Sequence, residues 1–155
     1  MNDVSIIPYE PRYQPDFKRL NIAWISELFR VEAHDLEQLD QPEIHILPNS
    51  GQILLAKWGD DIVGTVALVP PGDRVYELAK MSVTPTVQGK GIGKLLALAA
   101  IDYARQLGAK LVWLESNRKA VAAVELYKRI GFVEVPLRPS LYTRADICME
   151  MSLQE

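Results

Sequence analysis

The sequence predicts an α/β (α+β) fold in which a mixed, mostly antiparallel central sheet of about six to seven strands is flanked by about four helices. Three observations predict it. Strand-like runs stand before and after two long helix-period segments, and those segments enclose a single strand. The resulting order of strands, helix, strand, helix, strands is not the alternation of a purely parallel α/β sheet. A length of 155 residues suits one domain spanning residues 1–155.

The elements follow in order. "VSII" reads as a short strand. A helix then starts near Pro15, with Phe17, Leu20, Trp24 and Leu28 as its core stripe. A short second helix covers "VEAHDLEQL" and stops before Pro42. "QILLAKW" and "DIVGTVALV" are strands joined as a hairpin through Gly59-Asp60-Asp61, and "PPGDR" is a turn. "VYELAKMSV" is a strand ended by Pro85. Gly91 to Leu107 reads as a long helix with Ile92, Leu95, Leu96, Ala99, Tyr103 and Leu107 on its apolar stripe and Gly108 at its end. "KLVWLES" is the enclosed strand. Asn117 is placed to cap a helix that runs to Ile130 and closes at Gly131, and "FVEV" and "RADICMEM" supply the last strands.

Composition narrows the function classes. The hydrophobic fraction of 48% and charged fraction of 24% match a soluble globular chain. No apolar run approaches the roughly 18 residues of a membrane span, so no membrane partner is expected. "MNDVSIIPYEP" lacks the basic start and apolar core of a signal peptide. A net charge of −3 argues against a general nucleic-acid binder. The single cysteine, Cys148, fits a reducing, cytoplasmic setting and reads as a small buried residue of the last strand.

The stretch Gln88-Gly89-Lys90-Gly91-Ile92-Gly93-Lys94 joins a strand to a helix. A helix N-terminus presents unpaired N–H groups and a partial positive charge, and glycines let a phosphate approach them closely. Lys90 and Lys94 add charge. The stretch therefore reads as a cradle for a pyrophosphate, against the alternative of a flexible turn that binds nothing. It is neither common nucleotide motif: Gln88 and Leu95 break the triphosphate loop, and Lys94 stands where the dinucleotide pattern needs its last glycine.

"QGKGIG" resembles the Q/R-x-x-G-x-G/A signature of the GNAT superfamily of N-acetyltransferases. The resemblance runs through "ELAKMSVTPTVQGKGIGKLL" and "WLESN" to "AVELYKRIGF", residues 77–132. It implies that the backbone of Gln88 to Lys94 holds the pyrophosphate of acetyl-CoA. It also implies that backbone groups of Met81, Ser82 and Val83 hold the pantetheine arm, and that the sheet splays between its fourth and fifth strands to admit it. Coenzyme A is the implied product, no metal is needed, and the partner is a small-molecule or peptide amine; a homodimer stays open.

Two side chains carry the implied chemistry. Tyr127 is the acid candidate for the leaving sulfur, since a phenol stays protonated at neutral pH; the alternative is a packing tyrosine on its helix. Glu77 is the base candidate, because a desolvated carboxyl titrates near neutrality; the alternative is a structural partner of Arg74 or Lys80. Asn117 is a helix cap, a coenzyme contact, or both. His34, on the short helix, and His45, in a loop, lack metal-ligand spacing and fit surface or substrate-rim roles. Trp24 and Phe29 suit the core or the acceptor pocket. "LYTRAD" matches a substrate-side hairpin of the family, bringing Tyr142 and Arg144 toward the acceptor. Glu27, Glu32, Asp35, Glu37, Asp40 and Glu43, against Arg30 alone, suggest an acidic rim and a cationic acceptor. The expected function is acetyl-CoA-dependent N-acetylation of a primary amine by direct attack. Its alternatives are a non-catalytic acetyl-CoA sensor or regulatory subunit, transfer of another acyl group or to an alcohol, and a plain interaction domain.

Overall fold

The computed structural model describes residues 4–153. The first three residues of "MNDVSIIPYEP" lie outside the described residues. The chain forms β1 (Val4–Pro8), α1 (Gln14–Leu28), α2 (Ala33–Asp40), α3 (Pro42–His45), β2 (Gln52–Trp58), β3 (Asp61–Gly72), β4 (Val75–Val83), α4 (Ile92–Gln106), β5 (Leu111–Ser116), α5 (Val121–Ile130), β6 (Val133–Val135) and β7 (Ile147–Ser152). The seven strands make one sheet in the order β1-β2-β3-β4-β5-β7-β6. Among the described residues only the β4–β5 pair is parallel. Parallel neighbours need a crossover, and α4 provides it.

Side chains alternate across each strand, which divides the core in two. Ala56, Val63, Val66, Leu68, Leu78, Val112 and Leu114 face α4 and α5. Ile53, Leu55 and Ala67 face the other way, against Phe17 and Leu20 of α1 and Leu39 of α2. Tyr76 and Leu78 belong to the first layer. Glu77 between them therefore points to the α1 face, and by the same alternation so do Trp113 and Glu115 of β5.

Several boundaries and faces differ from the sequence reading. Pro70 to Gly72 extend β3, and the turn is Asp73-Arg74, both with positive φ (54° and 59°), as a tight hairpin requires. His45 closes the four-residue α3 rather than lying in a loop. The "LYTRAD" segment contains no strand. On α1 the buried positions are Phe17, Leu20, Asn21 and Ile25, not Trp24 and Leu28. On α4 they are Ile92, Leu96, Ala97, Ala100, Ile101 and Ala104, while Leu95 and Leu107 are 47% and 45% exposed. Alanines let that helix sit close to the sheet, and an almost all-apolar helix offers periodicity no unique face. Asn117 does not cap α5, whose N-cap is Ala120. Cys148 is fully buried in β7, in line with its reading as a packing residue.

Candidate active site

The sheet opens at one place. β4 and β5 pair only from Val75–Leu111 to Glu77–Trp113, and beyond that level the two strands have no partners in each other. On its other side β4 carries a bulge. Thr65 pairs with Ser82 and Ala67 with Ala79, so Lys80 and Met81 together oppose Val66. Lys80 has φ 53°, a left-handed conformation that costs a lysine on the order of 1–3 kcal/mol. Its surroundings impose it: the Thr65 hydroxyl donates to the Lys80 carbonyl at 2.7 Å, and Asn21 Nδ2 donates to that hydroxyl at 3.0 Å.

Two cavities meet at this opening. A groove of about 680 Å³ runs between the end of β4, the turn before α4, and α5. Gln88, Gly89, Gly91, Ile92, Gly93 and Lys94 line it, with Met81, Ser82 and Val83. Gly89 and Gly91 have φ 82° and 80°, a region open to glycine and strained for any β-branched residue. Gln88 Nε2 donates to the Val83 carbonyl at 3.0 Å and ties the turn to the strand. Lys90 departs from its sequence reading: its ammonium lies 5.9 Å from the centre of the Trp58 ring, and its side chain does not line the groove. Lys119 and Arg129, which the sequence reading missed, do line it. With Lys94 and the first turn of α4 they give the groove donors suited to a pyrophosphate, and these three cations outnumber its two carboxylates, Glu27 and Glu125. Ser82's side chain is occupied elsewhere, donating to the Leu20 carbonyl at 3.0 Å.

The second cavity, of about 80 Å³, lies in the opening itself. It is walled by Glu77 and Glu115 on the sheet, by Trp24 and Phe29, and by Tyr127, Tyr142 and Arg144. Trp24, Met81 and Ala123 border both cavities, so one space leads into the other. Trp24 and Phe29 thus belong to the pocket rather than the core, their rings 6.1 Å apart.

Glu77 forms no ion pair with Arg74 or Lys80 among the described residues. Burial, and next the Glu115 carboxylate, push its carboxyl up to about 7, against the pull of Lys80 and Arg138. Tyr127 reaches the opening from the opposite layer, on α5. Its ring packs edge-on against Phe132, and burial raises its phenol above the ordinary range. Its hydroxyl makes no hydrogen bond among the described residues, although the residue is only 7% exposed. Asn117 is fully engaged within the chain: Oδ1 accepts from the Lys119 amide and Nδ2 donates to the Arg144 carbonyl at 2.6 Å. It borders the small cavity and not the groove.

A buried ionic cluster closes the α2 side of the opening. Asp35, 0% exposed, accepts from Lys80 Nζ at 2.8 Å and from both terminal nitrogens of Arg144, at 2.8 and 2.7 Å. It also accepts from the Glu32 amide, completing the capping box of α2. Burial alone would raise the Asp35 carboxyl; the Arg144 hydrogen bonds and the Lys80 charge instead hold it at about 2. Burial lowers the Lys80 ammonium and Asp35 opposes that. Lys80 also donates to the Tyr142 hydroxyl at 2.9 Å. The acidic rim expected from the sequence is largely spent here and nearby. Glu32 binds Thr143 and Arg144, Glu37 binds His34, Asp40 binds Lys18, and Glu43 accepts from Tyr9.

Among the described residues no three or more potential metal ligands are gathered, and no helix is long and apolar enough to cross a membrane. The model of the acetyltransferase (GNAT) family matches residues 17–132. The ribosomal-protein bS18 alanine N-acetyltransferase of Haemophilus influenzae is 31% identical over 133 residues, covering 77% of this chain and 90% of that protein. The chain spans half of one other curated relative and about a third of two more. A GNAT-family acetyltransferase of Staphylococcus aureus superposes with a TM-score of 0.89 at 23% identity, over 97% of this chain and 99% of that one. The Thermoplasma acidophilum PaiA N-acetyltransferase, solved in complex with coenzyme A, does so with a TM-score of 0.75 at 17% identity and the same coverage. By the extent of the family match, over residues 17–132, the chain belongs to the GNAT family of acetyltransferases.

Proposed function

We propose that this chain is an acetyl-CoA-dependent N-acetyltransferase that acylates a primary amine of a small molecule or peptide by direct attack. The observation that carries the reading is the opening between β4 and β5. It joins a basic, glycine-lined groove to a small cavity that holds Glu77 on one face of the sheet and Tyr127 on the other. The groove fits the coenzyme: its turn needs glycine, and Lys94, Lys119 and Arg129 face it. Acetyl-CoA, when bound, supplies an activated acetyl thioester and a thiol leaving group.

The chain's residues then have separable work. Lys94, Lys119, Arg129 and the amides that open α4 hold phosphates. The unpaired edge of β4 from Met81 to Val83 offers backbone groups to the pantetheine arm. The bulge at Lys80–Met81 takes backbone N–H groups out of the ladder and leaves them available to polarise a carbonyl. An alkyl ammonium has a pKa near 10, so about 4 kcal/mol is needed to free its lone pair at pH 7; Glu77, poised near 7, accepts that proton. Tyr127 donates one to the departing sulfur. The curated relative that acetylates an alanine is consistent with an amine acceptor.

Thiol release over a panel of amines, amino acids and peptides tests the reading, which expects acetyl-CoA turnover that depends on the amine. Release at the water-only rate with every amine would contradict it. In the same assay Tyr127→Phe should lower kcat about 10²-fold, the low end of general acid catalysis, because a thiolate already leaves well. Since the hydroxyl makes no hydrogen bond, the variant should keep its melting temperature and its affinity for acetyl-CoA. Wild-type turnover would remove the acid assignment.

A further inference from the structure

Four charged side chains line the small cavity: Glu77, Lys80, Glu115 and Arg144. The two cations are committed. Lys80 is paired with Asp35, and Arg144 with Asp35 and Glu32. The two carboxylates are not: neither Glu77 nor Glu115 is in an ion pair among the described residues, and Glu115 accepts one hydrogen bond, from Ser140 at 2.7 Å. Arg138, the nearby cation on the strap before β7, is bound to Glu150. The uncompensated charge of the cavity is therefore negative, and it belongs to the sheet rather than to the helical rim.

Register fixes how the two carboxylates stand. Glu77 pairs with Trp113, and Glu115 is two residues further along β5 on the same face. That sets Glu115 on the order of 7 Å beyond Glu77 along the strand. A third polar group is packed beside them. Asn21, 1% exposed and lining the same cavity, has no donor for its Oδ1. Its amide cannot be turned round, because Nδ2 already donates to the Phe17 carbonyl at 2.9 Å and to the Thr65 hydroxyl, which itself donates to Lys80. A buried acceptor without a donor is costly, and the contacts of its Nδ2 hold it in place.

We propose that the cavity selects a primary amine bearing a second positive charge a short aliphatic spacer away, with the reacting nitrogen at Glu77 and the distal ammonium at Glu115. This rests on the acetyl-transfer reading and adds the acceptor's class to it. A distal carboxylate in the same place meets Glu115 and is repelled. Trp24 and Phe29 wall the aliphatic portion.

The test uses three acceptors with one five-carbon chain: cadaverine, n-pentylamine and δ-aminovalerate. In the wild-type protein, kcat/KM for cadaverine should exceed that for n-pentylamine at least tenfold, with δ-aminovalerate lowest. Raising ionic strength should narrow the first ratio. Glu115→Gln should collapse that ratio by at least tenfold, and Glu115→Lys should place δ-aminovalerate above cadaverine. Equal rates for the three acceptors, or a ratio unchanged in Glu115→Gln, overturns the proposal. Calorimetry of cadaverine against the wild-type protein with coenzyme A present reads the site without turnover. Tight binding of cadaverine over δ-aminovalerate with no acetylation of any amine upholds the cavity's selectivity and sinks the transfer reading; the reverse preference sinks the selectivity alone.

Discussion

Glu77→Gln is expected to lower kcat/KM by roughly 10²- to 10⁴-fold at pH 8, about 3–5 kcal/mol, while acetyl-CoA affinity holds. The size of the loss should depend on pH in a way a structural role would not reproduce. Below about 7 the wild-type carboxyl is itself protonated and has no advantage over the amide. Above about pH 10 a free alkyl amine is already neutral and needs no base. The deficit should therefore be widest between those limits. A pH-independent loss would instead assign Glu77 to holding the acceptor or the strand. The same substitution should stabilise the fold. A carboxyl raised from 4.5 to about 7 favours the folded state fully below pH 4.5 and loses that contribution as pH rises through 7. At pH 8 the folded protein bears a desolvated charge that glutamine lacks, worth up to about 3 kcal/mol. Urea denaturation should thus find the variant more stable at pH 8 and nearly matched to wild type at pH 4.5. Such a gain in stability beside a loss of activity is the behaviour of a group kept in place for chemistry.

The second large effect lies on the acceptor side of the sheet. Asp35→Ala should destabilise the protein by about 3–5 kcal/mol, because it strands the Lys80 ammonium and the Arg144 guanidinium in buried positions. The damage should reach the site as well as the fold. Lys80 occupies the strained bulge of β4, and Arg144 holds the segment that carries Tyr142. In the wild type, acid should undo the same cluster. With the Asp35 carboxyl lowered from 3.8 to about 2, its contribution of about 2 kcal/mol is complete above pH 3.8 and is lost as pH falls through 2. Chemical denaturation of wild type and variant checks both statements. A variant within 1 kcal/mol of wild type would show the cluster to be replaceable.

The strands and long helices were legible because each carries its own period and its own stops. Gly131 and Pro85 end elements where the sequence says they should. The glycine turn was legible because positive φ leaves a residue-type signature at Gly89 and Gly91. The bulge at Lys80 was not, since a lysine in the left-handed region has no local cause; its support comes from Thr65, Asn21 and Asp35, far away in the chain. The acidic stretch misled for a related reason. Sequence shows carboxylates but not the cations folded onto them, and Arg144 is 109 residues from Asp35. Asn117 carried a helix-cap signal, but α5 begins only at Val121, and the side chain serves the turn instead. Lys119 and Arg129 were not legible, since a basic residue just before α5 and another near its end carry only a surface signal until the groove shows which way they face.

Calorimetric titration of acetyl-CoA into the wild-type protein and into Gly91→Val tests most directly the claim that the turn before α4 is the coenzyme's phosphate cradle. Valine at φ 80° is strained and forces the turn out of the shape that aims its amides into the groove. The cradle predicts binding to the wild type and at least a tenfold weaker affinity in the variant, about 1.4 kcal/mol, with the fold retained by circular dichroism. Equal affinity in the two proteins, or no binding to the wild type, would contradict it.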